Sequence, residues 1–234
     1  MRKFTRTLLV GVSAMIALGT LSACSGGKST DAASSESPTP APTTASATAA
    51  PFPQAAKYIA DMPAAADKTM TIGIAVDGTE IAAYACNGVD DEAWFFGNHA
   101  DGSIDITGKF HDTLKASYNG TDVVGDLTMN GVAYHFTAPA VPAPAGMYTA
   151  ELNGVRASWV VRPDGTATGV QNNGNDSDTA NVVIQNEQNF RDQVRNRRKL
   201  QAAAQIVDLQ NRTARSTING VQVVAVVVDG NFRL

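Results

Sequence analysis

Seven Asn-Gly or Asp-Gly pairs punctuate the chain between residues 71 and 170: VDGT at 76–79, CNGV at 86–89, ADGS at 100–103, YNGT at 118–121, MNGV at 129–132, LNGV at 152–155 and PDGT at 163–166. Both pair types suit the positive φ angles of two-residue hairpin turns. A segment interrupted this often has no room for long helices. Between the turns lie runs of four to eight residues, and several alternate. Ile72, Ile74 and Val76 share one face, with Thr71, Gly73 and Ala75 on the other. Val132, Tyr134 and Phe136 oppose Ala133, His135 and Thr137, and Val155, Ala157, Trp159 and Val161 oppose Arg156, Ser158 and Val160. Period two with one apolar face is the half-buried antiparallel strand.

The spacing predicts ten strands, over about 71–76, 79–86, 93–97, 103–108, 112–118, 121–128, 132–138, 146–152, 155–162 and 165–171. PAVPAPAG at 139–146 is a rigid link that marks where one sheet gives way to another. The expected fold is mainly β: an antiparallel meander closing as a barrel or a two-layer sandwich, because long open edges invite aggregation.

Beyond this meander the pattern changes. NNGNDSD at 172–178 reads as a polar loop, and no Pro or Gly interrupts 175–219. The Gln, Arg and Ala content there predicts a helix over 186–212. Phe190, Val194, Leu200, Ala204 and Val207 fall on one side of it, and Arg191, Arg195, Arg198 and Lys199 on the other. VQVVAVVVDGNFRL at 221–234 predicts a terminal β-hairpin turning at Asp229-Gly230, its valines buried beneath the helix.

At the other end, Arg2, Lys3 and Arg6 precede the apolar run TLLVGVSAMIALGTL, followed by small residues and Cys24. A positive region, a short apolar run and a small-residue site form an export signal. The run is short for a stable span, which needs about 20 apolar residues. LSAC at 21–24 resembles a bacterial lipobox. The resemblance covers residues 1–24 only. It implies a diacylglyceryl thioether on Cys24, cleavage just before it, and anchoring at the extracytoplasmic face of the cell membrane. Residues 25–53 are rich in Ser, Thr, Ala and Pro, too poor in apolar surface to offset their ordering entropy. They read as a tether. This composition resembles that of lipoproteins of high-G+C Gram-positive bacteria.

The resulting organisation is a signal peptide at 1–23, a lipidated tether at 24–53, an antiparallel β domain at 54–171, and a loop, helix and hairpin at 172–234. Net charge is −4 for the whole chain and −7 once the three cations of the signal region are gone, which argues against nucleic acid as a partner. The balance is uneven: −8 over 71–170 and +4 from 186 onward.

Chemistry-bearing residues are sparse in pattern. Cys86, at a strand end, is followed by Asp90, Asp91 and Glu92, which disfavour a thiolate and point to a packed thiol. His99, His111 and His135 stand apart, without the close spacing of zinc ligands. Residues 90–92 and 172–178 are oxygen-rich but lack the EF-hand order. Asp101 and Asp105 sit in a turn and on a strand's solvent side. Trp94, Phe96, Tyr134, Phe136, Tyr148 and Trp159 read as core before they read as a ligand cavity. No phosphate-loop, dinucleotide or hydrolase motif occurs, and no catalytic, cofactor-binding or metal residue is assigned. The expected role is non-catalytic binding in the envelope, with an envelope protein, lipid or polysaccharide as partner. The alternatives are a lipid or small-molecule carrier with a β-barrel cavity, or an envelope enzyme of unrecognised type.

Two acyl chains on one atom make membrane release slow, whereas a single chain binds only marginally. Cys24→Ser is therefore expected to abolish incorporation of a palmitate analogue and to leave an unprocessed or mis-sorted protein. A variant that still labels and fractionates as wild type would refute the anchor.

Overall fold

A computed structural model describes residues 49–63, 69–174 and 198–234. The chain is mainly β, and every strand pairing is antiparallel. The first sheet is a meander of β1 (Ala55–Pro63), β2 (Thr69–Asp77), β3 (Glu80–Cys86) and β4 (Glu92–Asn98). The second is a meander of β5 (Ser103–Thr107), β6 (Thr113–Tyr118), β7 (Asp122–Met129) and β8 (Val132–Pro139). The third contains β9 (Gly146–Leu152), β10 (Val155–Val161), β11 (Ala167–Asn172), β12 (Leu200–Ala202), β13 (Thr213–Ile218) and β14 (Val221–Val227), in the order β12-β11-β10-β9-β14-β13. The proline-rich link lies between β8 and β9, where the second sheet gives way to the third.

The turn chemistry sets these registers. Asp101-Gly102, Asn130-Gly131, Asn153-Gly154 and Asn219-Gly220 all carry positive φ at both positions. That is the type I′ geometry whose twist matches the strands it joins. The turns fix Met129 opposite Val132, Leu152 opposite Val155, and Ile218 opposite Val221.

Three apolar cores separate the layers. Ile72, Ile74, Val76, Ile81 and Phe95 of the first sheet meet Leu114, Val123, Leu127, Tyr134 and Phe136 of the second. Ala75, Ala82, Tyr84, Cys86 and Trp94, on the opposite face of the first sheet, meet Met147, Val160 and Val170 of the third. The outer face of the third sheet presents Tyr148, Trp159, Ala214 and Ala225, against which Ala203, Ile206 and Leu209 pack. The first sheet is thus covered on both faces, and β2 is buried from Met70 to Val76. Small residues permit the second contact. A Cβ on Gly73 would stand 2.5 Å from Met147 Cγ, so the Met147 side chain fills the space that glycine leaves.

Several expectations need correction. No sheet among the described residues closes as a barrel: β1 is joined to the residues just after β8 by one bridge, Tyr58 to Ala140, and a bond from Val141 N to Lys57 O at 2.8 Å. The expected helix over 186–212 is absent from its described part. Leu200–Ala202 is a strand paired with β11, and the segment after it covers the third sheet without helical structure. The remainder of that helix, with Phe190, Arg191, Val194 and Arg195, lies outside the described residues. The hairpin comprises β13 and β14 and turns at Asn219-Gly220, while Asp229-Gly230 forms a further turn after β14, with Phe232 N donating to Asp229 O at 3.1 Å. The valine run is buried on one face only, since Val224 and Val226 are 59% and 50% exposed. Val207, expected to cover it, is 59% exposed.

Trp159 is fully buried, and its indole Nε1 donates to Ala204 O at 2.9 Å. It therefore couples β10 to the covering segment by both area and a hydrogen bond. Trp159→Ala is expected to cost about 3–5 kcal/mol through the cavity it leaves. Urea unfolding of the wild type and the variant measures this, and a loss under about 1 kcal/mol would mean that the third core is loosely packed.

Candidate functional site

β4 places Glu92, Trp94 and Phe96 on one face by its two-residue period. Glu92 begins the strand because Asn87 organises the loop before it. The Asn87 Oδ1 accepts from the backbone N–H groups of Val89, Asp90 and Asp91 at 2.9, 3.0 and 2.9 Å. β10 and β11 pair Arg156 directly with Asn172, and both reach toward the same point. Arg198 arrives just ahead of β12, and the β5–β6 connection adds Phe110. A cavity of about 280 Å³ forms where these elements of all three sheets converge.

Glu92 is its polar centre and is buried. Its carboxylate accepts from Arg156 Nη2 at 3.2 Å, Tyr84 Oη at 3.0 Å and Asn172 Nδ2 at 3.4 Å. Arg198 Nη1 donates to the Glu92 carbonyl oxygen at 2.8 Å, and its Nη2 reaches Asp91 at 3.3 Å. The Arg198 guanidinium also lies over the Phe110 ring, 4.7 Å from its centroid. Burial pushes the Glu92 carboxyl above its ordinary 4.5, while Arg156, Arg198 and Tyr84 pull it back.

Two N–H groups buried within the residues around the cavity, Trp94 Nε1 and Arg156 Nε, lack a hydrogen-bond partner. Each such group costs about 1–3 kcal/mol if it stays unmatched. Trp94 stacks with Phe96 at a centroid distance of 5.5 Å and an interplanar angle of 17°, and Phe232 lies 5.4 Å from it. The walls are therefore aromatic, and the floor is a charged, planar hydrogen-bonding cluster.

The residues expected to carry chemistry divide as follows. Trp94 and Phe96 line the cavity, whereas Tyr134, Phe136, Tyr148 and Trp159 belong to the cores or their buried rim. Cys86 is a packed thiol. Burial pushes its pKa up to about 12, and its Sγ contacts Thr168 O at 3.7 Å. The histidines are not brought together: His99 Nε2 contacts Gly78 O at 3.1 Å, and His135 pairs with Asp126. No group of metal-ligating side chains occurs among the described residues. Residues 90–92 are not a cation loop, because Asp91 and Glu92 face arginines. Cys24 lies outside the described residues. Sequence reasoning missed the joint role of Glu92, Arg156 and Arg198, which are far apart in the chain. A glutamate sharing a strand face with Trp94 and Phe96 was the one local signal.

No family model matches the sequence, and no curated protein or solved structure matches it either.

The raised Glu92 pKa has a defined consequence. The folded state holds this proton to higher pH than the unfolded state, so the Glu92 contribution is most favourable below 4.5 and declines as pH rises through the raised value. Melting temperatures of wild type and Glu92→Gln from about pH 4 to 8 should therefore show the wild type losing ground as pH rises. A difference that grows in favour of the wild type would mean that the arginines outweigh burial.

Proposed function

We propose that this chain is a lipid-anchored protein of the cell envelope, held through Cys24 at the extracytoplasmic face of the membrane, whose β domain binds a small ligand without transforming it. The reading of the anchor rests on LSAC at 21–24 and the apolar run before it. The observation that carries the binding role is the cavity of about 280 Å³ beside Glu92, lined by Trp94, Phe96 and Phe110 together with Arg156 and Arg198. Its volume is at the small end of ligand pockets, and its mix of aromatic walls and a few fixed polar groups is theirs. We take the stacked sheets as a layered sandwich, a rigid frame that holds the cavity walls in place.

A thermal-shift screen of small polar metabolites against the full chain in a polyoxyethylene detergent tests this reading. At least one compound should raise the melting temperature, and Trp94→Phe should reduce that shift. No stabilising compound, or shifts indifferent to Trp94→Phe, would overturn it.

A further inference from the structure

The residues after β14 fold back onto the aromatic wall of the cavity, and their root is fixed. Val228 N donates to Met147 O at 2.8 Å. Gly230 lies so close to the β2–β3 turn that a Cβ on it would stand 2.3 Å from Asp77 N. Only glycine permits that approach, so the chain is pinned at this point. Beyond Gly230 it reaches β4. The Phe232 ring lies 5.4 Å from Trp94 and 6.1 Å from Phe96. Leu234 lines the cavity while 56% exposed, which places it at the mouth. The hold on this tip is of a different kind. Arg233 Nη2 reaches Glu80 Oε1 at 3.0 Å, with side chains 40% and 46% exposed. An ion pair this open contributes little and is screened by salt. The Arg233 guanidinium also lies 5.7 Å from the Phe96 centroid, and its Nη1 donates to Gly230 O at 2.9 Å, within the segment itself. Phe232 is half-buried, and Asn231 and Arg233 are exposed. A pinned root with a lightly held tip is how a moving segment is built, because opening it breaks few buried contacts.

We infer that residues 231–234 are a flap that gates the cavity, closed by Phe232 on Trp94 and Phe96 and latched by Arg233 to Glu80. Lifting the flap about Gly230 uncovers Trp94 and widens the mouth that Leu234 narrows. A latch this weak keeps an open state populated, so a ligand enters without unfolding β14. This rests on the binding role proposed above and names what controls access to that site.

Acrylamide quenching of tryptophan fluorescence, on the full chain in polyoxyethylene detergent, tests the flap without any ligand. The chain holds 2 tryptophans, and the same measurement on Trp94→Phe supplies the contribution of the fully buried Trp159. Quenching of Trp94 should be slow in the wild type. Glu80→Gln removes the latch at a half-exposed position and should speed quenching by about two- to fivefold. Phe232→Ala should speed it at least as much. Added salt should speed quenching in the wild type and leave Glu80→Gln unchanged, which a general loosening of the fold would not do. Glu80→Gln and the salt series suffice if Phe232→Ala does not fold. Trp94 quenching that ignores Glu80→Gln and salt overturns the flap, whether Trp94 is open throughout or sealed throughout. The two readings fail separately. A stabilising compound found alongside unmoved quenching overturns the flap alone, and gated quenching with no stabilising compound overturns the binding role alone.

Discussion

The burial of one sheet on both faces is the constraint on which the rest of this structure depends. β1–β4 has an aliphatic face of Ile72, Ile74, Val76 and Ile81 and a face of small and aromatic residues: Ala75, Ala82, Tyr84 and Trp94. Burying apolar area at roughly 25 cal/mol per Å² favours covering both. Two different partners do so, the β5–β8 meander and the β9–β11 strands. Sheets pack about 10 Å apart, so alanine and glycine on the second face set how closely the third sheet approaches. Met147 seated over Gly73 is the clearest instance, and a side chain at residue 73 would have to displace it.

The site follows from that arrangement. An edge strand of the middle layer must end somewhere between its two covers, and β4 ends among residues of both. Glu92, Trp94 and Phe96 point toward the third sheet, while the β5–β6 connection brings Phe110 from the second. A carboxylate caught in this seam cannot remain unpaired. Glu92 and Arg156, with side chains 3% and 16% exposed, form a nearly dry pair, and breaking such a pair costs more than the pair contributes net. The cluster is therefore weak as a source of stability and strong as a way to fix side-chain geometry.

Much of this architecture was legible in the sequence. The Asn-Gly and Asp-Gly spacing located ten strands, because turn chemistry is local. What failed depends on distant contacts. The Thr71, Gly73 and Ala75 face looked solvent-facing because small residues carry little apolar signal, yet Ala75 and Gly73 are covered by the third sheet. The same weakness hid β1, whose Ala55, Ala56 and Ala60 blur the alternation. The segment around Leu200 has helix-favouring composition, but pairing with β11 overrides propensity. Asn219-Gly220 was the same turn signal that worked elsewhere, and it outranked Asp229-Gly230 because strand-like runs flank it on both sides. The site was illegible for a simpler reason. Residues 92, 156, 172 and 198 meet only through the topology, and no spacing announces them.

Amide hydrogen exchange on the full chain tests the two-sided burial of the first sheet most directly. Amides of β2 and β3 are shielded by a layer on each side, so they should exchange only by global unfolding and be the slowest in the chain. Those of β13 and β14, with Val224 and Val226 open to solvent, should exchange faster through local opening. Exchange in β2 and β3 as fast as in β13 and β14 would show that the first sheet is not held between two layers, and the seam that forms the site would lose its structural basis.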